Sequence, residues 1–327
     1  MCDKVPLERV IARLREGKRF LVIGHVRPDG DAIGSVAALV LILRRLEKVA
    51  EGCIADRIPW FYQGLAGVDA IRTPEELRDF SFDTAVVVDS SDITRIGGAA
   101  ELLRGKRPDI NLDHHVTNTG FAELNHCDPS AAATAALVHE IGRRLVPLDP
   151  DIAEALLLGL ATDTGFFKYS TVDRRVFLQA AELVGAGADI QRIATAVLEH
   201  RTLEEIKLLV EMFGTLHVEE GGRLAWAFVS AEMLRRHRCS SECTEGFVGE
   251  IRAIHGVEIA ILFTEWPPGE VHVSLRSKGQ VDVSRIALRF GGGGHPRAAG
   301  CSFQGVPLEE AIGRVVAASR EALKALP

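Results

Sequence analysis

Three short apolar stretches, at residues 20–23, 85–88 and 110–112, predict strands that are buried on both faces of a parallel sheet. Each stretch is followed by acidic or imidazole side chains: His25, Asp29 and Asp31 after the first, Asp89 after the second, and Asp113, His114 and His115 after the third. One such ending is equally well explained by a capped loop. Three in succession favour a shared site, because parallel strands bring their carboxyl ends to one edge of the sheet.

Helical patterns alternate with these stretches. Apolar positions at helical spacing predict a helix over residues 5–16, a buried helix over 33–48, helices over 128–145 and 152–170, and a helix, a glycine break and a further helix start within 176–194. In the helix over residues 128–145, Asp128 is expected to cap the N-terminus and Pro129 to occupy the first turn. Gly30 and Gly34 are expected to let the chain approach a ligand or the sheet closely. The helix over residues 152–170 ends in a polar turn with Asp163. This residue is either a further contribution to the shared site or an ordinary turn aspartate.

The pattern changes in the second half of the chain. Residues 223–230, 257–266 and 270–279 predict strands, and residues 306–326 predict a long helix. The sequence therefore predicts an α/β protein with an N-terminal parallel-sheet domain over residues 1–190. A helical linker follows over 191–217, and a smaller mixed-sheet α/β domain occupies 218–327.

Length and charge limit the function. A chain of 327 residues that is 47% hydrophobic can form two cores. The formal net charge of −7 disfavours a grip on long nucleic acid, which needs a broad basic surface. Any nucleic-acid substrate should therefore be short and held locally.

Six cysteines, at positions 2, 53, 127, 239, 243 and 301, follow no C-x-x-C spacing and predict reduced thiols of a cytoplasmic protein. Cys239 and Cys243 are poor metal-site candidates because no second Cys or His pair completes a tetrahedral set. The charged, amphipathic N-terminus is not typical of a signal peptide. The longest apolar run, residues 36–43, is too short to cross a membrane.

The acidic and imidazole side chains suit a pair of divalent ions. The candidate ligands are His25, Asp29, Asp31, Asp89, His114 and Asp163. Carboxylates and water suit magnesium, whereas added imidazoles favour manganese, iron or cobalt. A pair of ions needs a bridging carboxylate, for which Asp89, alone at the end of its strand, is the natural candidate. Asp113 is expected to orient His114 through its other ring nitrogen.

A glycine cluster near the C-terminus supplies a second group of candidates. Residues 290–301, FGGGGHPRAAGC, contain four consecutive glycines followed by His295 and Arg297. A mobile loop is the plain alternative, but bare amides beside cationic side chains favour an anion-binding turn. The upstream strand adds Arg276 and Lys278 as further donors. The second domain thus has the groups to bind phosphate, ribose or base.

These motifs resemble the DHH phosphoesterase superfamily, in the branch that carries a DHH-associated C-terminal domain. The matching stretches follow the family's order along nearly the whole chain: HVRPDGDAIGS, VVVDSSD, LDHHVTN, GLATDTGFFKYS, SLRSKG and GGGGHPRAAGC. Within the superfamily the chain is most similar to the NrnA-type oligoribonucleases, which also act as 3′-phosphoadenosine 5′-phosphate (pAp) phosphatases. The resemblance implies hydrolysis of short oligoribonucleotides to mononucleotides, or of pAp to AMP.

The resemblance also implies roles for residues. It implies two manganese ions, one held by His25, Asp29 and Asp89 and the other by Asp31, Asp89, His114 and Asp163. His115 and Asp89 would be the catalytic residues, and His115 would contact the scissile phosphate. The rest of the substrate would be bound by Arg276, Ser277, Gly292, Gly293, Gly294, His295 and Arg297. Magnesium, cobalt or iron in place of manganese stay open, and a homodimer is expected from the resemblance alone.

Other functions remain alternatives. A linear or cyclic dinucleotide is the nearest alternative substrate, and pyrophosphate or polyphosphate is a more distant one. A processive single-strand DNA exonuclease is disfavoured by the acidic charge. A non-catalytic nucleotide sensor is disfavoured because all six ligand positions are filled. A dinucleotide-dependent oxidoreductase lacks the G-x-G-x-x-G spacing after a first strand.

Overall fold

A computed structural model describes residues 5–326 and divides the chain into two compact units. The first unit runs to His200 and the second begins at Arg201. This division falls inside the predicted linker at 191–217, whose helix α6 (Ile190–Leu198) belongs to the first unit and whose helix α7 (Leu203–Phe213) belongs to the second. The three-part division into domain, linker and domain stays a prediction.

The first unit is built on a parallel six-stranded sheet, as predicted. Its strands are β1 (Arg19–Ile23), β2 (Val49–Cys53), β3 (Ile71–Arg72), β4 (Thr84–Val88), β5 (Ile110–Asp113) and β6 (Leu124–Cys127). They lie in the order β3-β2-β1-β4-β5-β6, and every neighbouring pair is parallel. The three predicted strands are β1, β4 and β5. The sequence offered no signal for β2, β3 and β6, which are short and carry glycine or polar residues.

Besides α6, the described part of the first unit contains five α-helices that pack with this sheet or with one another. They are α1 (Leu7–Glu16), α2 (Gly30–Arg45), α3 (Thr134–Gly142), α4 (Pro150–Asp163) and α5 (Arg174–Gly185). Helix α2 is buried along most of its length, as its apolar sequence predicted. It begins at Gly30 rather than at residue 33, because the Asp29 side chain accepts hydrogen bonds from the backbone N–H groups of Asp31 and Ala32.

Small residues let helices α2 and α4 approach closely. A Cβ atom added to Gly34 would lie 2.5 Å from the carbonyl oxygen of Ala155, and one on Gly30 would lie 2.5 Å from the Thr162 side chain. The sequence suggested that these glycines approach a ligand or the sheet. The structure shows that what they approach is helix α4, which carries Asp163 at its last position.

The prediction for helix α3 was wrong at its N-terminus. The helix begins at Thr134 and not near residue 128. The side chain of its N-cap residue, Ala133, accepts no capping hydrogen bond. Asp128 instead accepts hydrogen bonds from the backbone N–H and the hydroxyl of Ser130, which holds a local turn. A short polar residue followed by proline suits either arrangement, so local sequence did not separate them.

The second unit has a mixed six-stranded sheet. Its strands are β7 (His217–Glu219), β8 (Leu224–Val229), β9 (Ile259–Glu265), β10 (Glu270–Ser277), β11 (Gly293–His295) and β12 (Ala298–Gln304), in the order β11-β12-β10-β9-β8-β7. Only β8 and β9 run parallel to each other among these pairs. Besides α7, the helices are α8 (Ala231–His237), α9 (Phe247–Ala253), α10 (Val283–Leu288) and α11 (Leu308–Lys324). The predicted mixed-sheet fold is thereby confirmed.

Two further observations concern the cysteines and the lengths of the helices. Cys53, Cys127, Cys239, Cys243 and Cys301 form no disulfide in the described part of the chain, and Cys2 lies outside it. Between residues 5 and 326, none of the helices is both long and apolar enough to span a membrane.

Candidate metal centre

The candidate site lies where the strand order of the first sheet reverses. Strand β1 pairs with β2 on one side and with β4 on the other. A crevice forms at such a reversal point, outside the carboxyl ends of the strands. The segments that follow β1, β4 and β5 bring His25, Asp89 and His114 to this edge. Helix α4 contributes Asp163 from its C-terminal end.

One group of donor atoms surrounds His25. Its Nε2 atom lies 3.6 Å from Asp29 Oδ1 and 3.5 Å from Asp89 Oδ2. Its Nδ1 atom lies 2.8 Å from the carbonyl oxygen of Val26, so Nδ1–H donates to that carbonyl. A histidine held in this way is oriented so that Nε2 would ligate a metal ion once its proton is displaced, as in metal-ligating histidines. The three side chains offer ligand atoms within 4.8 Å of one another.

A second group surrounds His114. Its Nε2 atom lies 3.3 Å from Asp163 Oδ2, 3.6 Å from Asp89 Oδ1 and 4.0 Å from Asp31 Oδ2. Asp31, His114 and Asp163 also offer ligand atoms within 4.8 Å of one another, as do Asp89, His114 and His115. The structure therefore brings together all six side chains that the sequence singled out as candidate ligands.

Asp89 lies between the two groups. Its Oδ2 atom faces His25 and its Oδ1 atom faces His114, at the distances given above. Its backbone adopts a left-handed conformation with φ of 56°, which is uncommon for a residue with a side chain. The Thr134 hydroxyl donates a 2.9 Å hydrogen bond to Oδ1. This geometry suits a carboxylate that is shared between two ions.

Asp31 is held by the N-terminus of helix α3. Oδ2 accepts a 2.6 Å hydrogen bond from the N–H of Thr134, and Oδ1 accepts a 2.9 Å bond from the N–H of Ala135. The Ser35 hydroxyl donates to Oδ1 at 3.1 Å. Asp31 thus serves as the cap that Ala133 does not supply. Thr134 and Ser35 carry no sequence signal, because nothing local marks a contact made across more than 100 residues or by one buried hydroxyl.

His115 is paired with Asp113. Nδ1 of His115 lies 2.6 Å from Oδ1 of Asp113, and Oδ2 of Asp113 accepts a 2.6 Å hydrogen bond from Nδ2 of Asn118. The sequence suggested that Asp113 orients His114, and the structure corrects the partner to His115. An imidazole held at Nδ1 by a buried carboxylate presents Nε2 in a fixed direction. Asn118 was also missed, since an isolated asparagine in a loop carries no functional signal.

Crowding of buried carboxylates shifts their pKa values apart. Burial and the nearby charge of Asp89 raise the pKa of Asp31 and of Asp163 well above the usual range. Burial also disfavours the ionised form of Asp89. The hydrogen bond between Asp89 and His25 and the charges of His115 and His25 outweigh burial and hold the pKa of Asp89 below the usual range. Such a cluster cannot ionise fully by itself, whereas divalent cations would let every carboxylate ionise. The donor set therefore fits a pair of hard cations.

The two histidines at the edges of the cluster are held as cations. Burial disfavours the charged form of His25, but its contacts with Asp29 and Asp89 raise its pKa to about 10. Burial acts on His115 in the same direction, and the hydrogen bond with Asp113 and the charge of Asp89 raise its pKa to about 9. Without metal ions, protons on these imidazoles partly balance the carboxylates.

In the second unit, the glycine cluster is not a loose loop but half of a β-hairpin. Strand β11 pairs with β12 so that His295 lies opposite Ala298, with Pro296 and Arg297 as the turn. A Cβ atom on Gly292 would lie 2.1 Å from the carbonyl oxygen of Gly300. Gly294 has φ of +136° and equally little room beside Ala298. Close packing of two strands therefore requires these two glycines, whatever else they bind.

The remaining predicted substrate residues lie at the same end of this hairpin. Ser277 is buried, and its hydroxyl donates to the carbonyl oxygen of Pro296 at 3.4 Å. Arg276 is half-buried and donates from Nη1 to the carbonyl oxygen of Leu275 at 3.0 Å. Gly293 faces open space. The structure thus places these residues in the second unit, whereas His115 belongs to the first unit.

Fold and site define a two-unit α/β protein with an acid and imidazole cluster at the switch point of its parallel sheet. Two family models match in tandem: the DHH family, N-terminal domain, over residues 19–160, and the DHHA1 domain over residues 224–325. A relative from Thermus thermophilus, named as a bifunctional oligoribonuclease and PAP phosphatase NrnA, is 35% identical over 322 residues, covering 98% of this chain and 95% of the relative. The chain therefore belongs to the DHH family, and the resemblance drawn from its motifs is confirmed.

A further relative and two solved structures are also similar to this chain over most of its length. The protein of the same name from Bacillus subtilis is 26% identical over 294 residues, covering 85% of this chain and 87% of that relative. An exopolyphosphatase-related protein from Bacteroides fragilis has a crystal structure that matches with a TM-score of 0.88 at 24% identity, covering 97% of this chain and 95% of that one. The exonuclease RecJ bound to manganese matches with a TM-score of 0.53 at 17% identity, with 98% of each chain covered. These two structural matches concern the fold.

Proposed function

We propose that this protein is a two-metal phosphoesterase that hydrolyses short oligoribonucleotides to mononucleotides and pAp to AMP. The observation that carries the proposal is the position of Asp89, whose two oxygens face the two separate donor groups around His25 and His114. The substrate class comes from the relatives named as bifunctional oligoribonuclease and PAP phosphatase, one of them 35% identical over 98% of this chain.

Six side chains would hold the ions. His25, Asp29 and Asp89 would ligate one, and Asp31, Asp89, His114 and Asp163 the other. Mixed imidazole and carboxylate ligands favour manganese over magnesium or calcium. When bound, a pair of such ions activates water at neutral pH and stabilises charge on a phosphoryl group. Backbone N–H groups at the start of α3 hold Asp31 in place before any ion binds.

His115 is the residue proposed to act on the phosphate. Asp113 accepts a hydrogen bond from Nδ1–H, so the other N–H of the imidazolium, at Nε2, can donate to a phosphoryl oxygen. The raised pKa of about 9 keeps this imidazole charged near neutral pH, which suits a donor to an anion. Asn118 in turn fixes Asp113, so the donor is oriented before substrate arrives.

The second unit is proposed to bind the non-reacting part of the substrate. Arg276, Ser277, Gly292, Gly293, Gly294, His295 and Arg297 are the residues assigned to this role. Arg276 and Arg297 supply charge for phosphate, and His295 supplies a donor at the end of β11. The proposed division is a catalytic domain at residues 1–190, a helical linker at 191–217 and a substrate-binding domain at 218–327.

One assay tests the proposal. The purified protein is incubated with RNAs of two to five nucleotides, pAp, cyclic di-AMP and pyrophosphate, with manganese or with a chelator. We expect manganese-dependent release of mononucleotides from RNA and of AMP from pAp. Turnover of pyrophosphate or of the cyclic dinucleotide without either of these would contradict the assignment.

A matched pair of variants tests the role of Asp89. Asp89→Asn should abolish turnover and reduce the bound manganese, because the shared carboxylate loses its charge. Asp92→Asn removes the same charge three residues further along the same segment, where Asp92 caps the next turn through Thr94 and accepts a hydrogen bond from the Thr119 hydroxyl. This control should keep most of the activity. Near-normal manganese-dependent activity of Asp89→Asn would refute the shared-ligand assignment.

A further inference from the structure

The second unit contains a cavity of about 340 Å³ at the edge of its sheet where β8 and β9 begin and β10 ends. Three cationic residues, Arg223, Lys278 and Arg297, are among those that line it, together with Glu258. The lining residues therefore carry three formal positive charges and one negative charge. Only Arg297 among them belongs to the substrate-binding set proposed above.

The backbone holds the cationic residues in one fixed arrangement. The carbonyl oxygen of Arg223 accepts a 2.8 Å hydrogen bond from the N–H of Glu258, whose own carbonyl accepts a 3.0 Å bond from the N–H of Lys278. The N–H of Ser277 donates to the carbonyl oxygen of Arg297 at 3.1 Å. Four separate segments are thereby tied together around the cavity, which fixes the backbone positions of the three cationic residues relative to one another.

Glu258 has its own partners and does not require a cation. Its side chain is buried, and Oε1 accepts hydrogen bonds from three consecutive backbone N–H groups, those of Gly279, Gln280 and Val281, at 3.1, 2.7 and 3.0 Å. A buried carboxylate satisfied by several N–H donors is stable as an anion. Its structural effect is to hold the segment after β10 against the cavity.

Arg297 and Lys278 are placed by specific local features. Gly279 has φ of +121°, and a Cβ atom there would lie 2.9 Å from Nη2 of Arg297, so the guanidinium lies directly against this glycine. Nζ of Lys278 donates to the carbonyl oxygen of Ile254 at 2.9 Å, which directs the ammonium and leaves two further donors. Both the backbone conformation at Gly279 and its contact with Arg297 therefore require a glycine at this position.

We propose that this cavity is a second phosphate subsite, in which Arg223 and Lys278 act with Arg297. Its ligand is a phosphate group of a nucleotide, supplied either by a longer oligoribonucleotide, beyond the linkage being cut, or by a free mononucleotide. The inference rests on the proposed function and deepens it. It predicts that the protein recognises phosphates that pAp and a dinucleotide lack, or that it responds to its own product.

Binding without turnover gives the first test. A fluorescently labelled five-nucleotide RNA is titrated by anisotropy into the whole chain with metals chelated. Arg223→Ala and Lys278→Ala are compared with Arg235→Ala, which removes an exposed, ion-paired cation from α8, the helix that follows the other end of β8. A subsite variant should weaken binding at least about fivefold and reduce the slope of log K against log salt by about 0.7, the value for one lost phosphate contact on a single strand.

Kinetics and inhibition then distinguish the two sources of phosphate. If the phosphate belongs to the oligonucleotide, the subsite variants raise KM for five-nucleotide RNA at least about fivefold more than KM for pAp. If it belongs to a free nucleotide, they raise the AMP concentration for half-inhibition by a similar factor with every substrate. Either result supports the subsite. Variants that match Arg235→Ala in binding, kinetics and inhibition would overturn it.

The inference can fail independently of the proposed function. If the unmodified protein turns over neither RNA nor pAp, the proposed function fails and the anisotropy experiment alone decides the subsite. If the unmodified protein turns over both while the variants behave like the control, only the subsite is lost. Gly279→Ala provides a further variant, because it should displace Arg297 without removing any charge and weaken RNA binding like Arg223→Ala.

Discussion

The backbone N–H of Thr134 donates a hydrogen bond of 2.6 Å to Oδ2 of Asp31, although the two residues are 103 positions apart. This bond links the N-terminus of α3 to the candidate metal centre. The same carboxylate therefore caps one helix and is proposed to ligate an ion. Folding of α3 and formation of the site are coupled through it.

We expect Asp31→Ala to be less stable than Asp163→Ala in the metal-free protein. Both variants remove a carboxylate from the cluster and relieve repulsion from Asp89. Only Asp31→Ala also leaves the N–H groups of Thr134 and Ala135 without an acceptor, which costs about 1–3 kcal/mol per buried group. Urea titrations with a chelator present would measure the difference. Equal free energies of unfolding would show that Asp31 does not cap α3.

The candidate site was largely predictable because its chemistry follows a topological rule. Acidic and imidazole side chains after β1, β4 and β5 had to meet, since all three strands are parallel and adjacent. The start of α3 was not predictable in the same way. Asp128 and Pro129 are typical of a helix N-terminus, yet the true cap is Asp31, a contact that only the folded chain creates.

The second unit illustrates a different limit. A run of four glycines predicts close backbone approach but does not say to what. In the structure Gly292 and Gly294 approach strand β12, so tight strand pairing accounts for them without any ligand. The sequence singled out Lys278 and Arg297 as anion donors but not the cavity beside Glu258 that they line with Arg223, because the lining comes from segments that are far apart in the chain.

The stability of the metal-free protein should fall at alkaline pH. Folding raises the pKa of His115 to about 9 and that of His25 to about 10, above the ordinary value of 6.5. The folded state then binds these protons more tightly than the unfolded chain. Their contribution is full below pH 6.5 and is lost as the pH rises through about 9 and about 10.

Urea titrations across this pH range with a chelator would measure the fall in the free energy of unfolding. His25→Gln should show a smaller fall than the unmodified protein. His272→Gln, which changes a partly exposed histidine on β10, serves as the control and should leave the fall intact. A free energy of unfolding that stays constant from neutral to alkaline pH in the unmodified protein would contradict the assigned cause.

Manganese binding should release protons. A histidine ligates a metal through a neutral imidazole nitrogen, so binding must displace the proton that His25 holds with a pKa of about 10. We expect the release of at least about one proton per chain near neutral pH. Calorimetric titration in two buffers of different ionisation enthalpy measures this number directly. A heat that does not depend on the buffer would mean that His25 is not a ligand.

His115 should affect turnover more than metal binding. We expect His115→Ala to lower kcat by about 100-fold, the usual cost of losing one positioned proton or hydrogen-bond donor at a reacting group. Its manganese content should stay near that of the unmodified protein. Asp113→Asn should lower the pKa of His115, since the charged hydrogen bond at Nδ1 is weakened.

The test for this pair is the pH dependence of kcat combined with metal analysis. In Asp113→Asn the activity should decline at a lower pH than in the unmodified protein, because the imidazole loses its proton earlier. A variant His115→Ala that lost its manganese together with its activity would instead point to His115 as a ligand, which its position beside Asp89 and His114 also permits.

Gly159 should be essential for the position of Asp31. A Cβ atom at Gly159 would lie 2.7 Å from Asp31 Oδ1 and 2.6 Å from the Ala135 Cβ atom, so Gly159→Ala must push α4 away from both. Overpacking of this kind costs about 1–3 kcal/mol. It would also move a proposed ligand, so we expect weaker manganese binding and lower kcat. Gly185→Ala is the matched control, because a Cβ atom there meets nothing within 4 Å at the end of α5. Manganese titrations and thermal unfolding of the two variants would check this, and a Gly159→Ala protein with the metal affinity of the control would show that α4 can shift without disturbing Asp31.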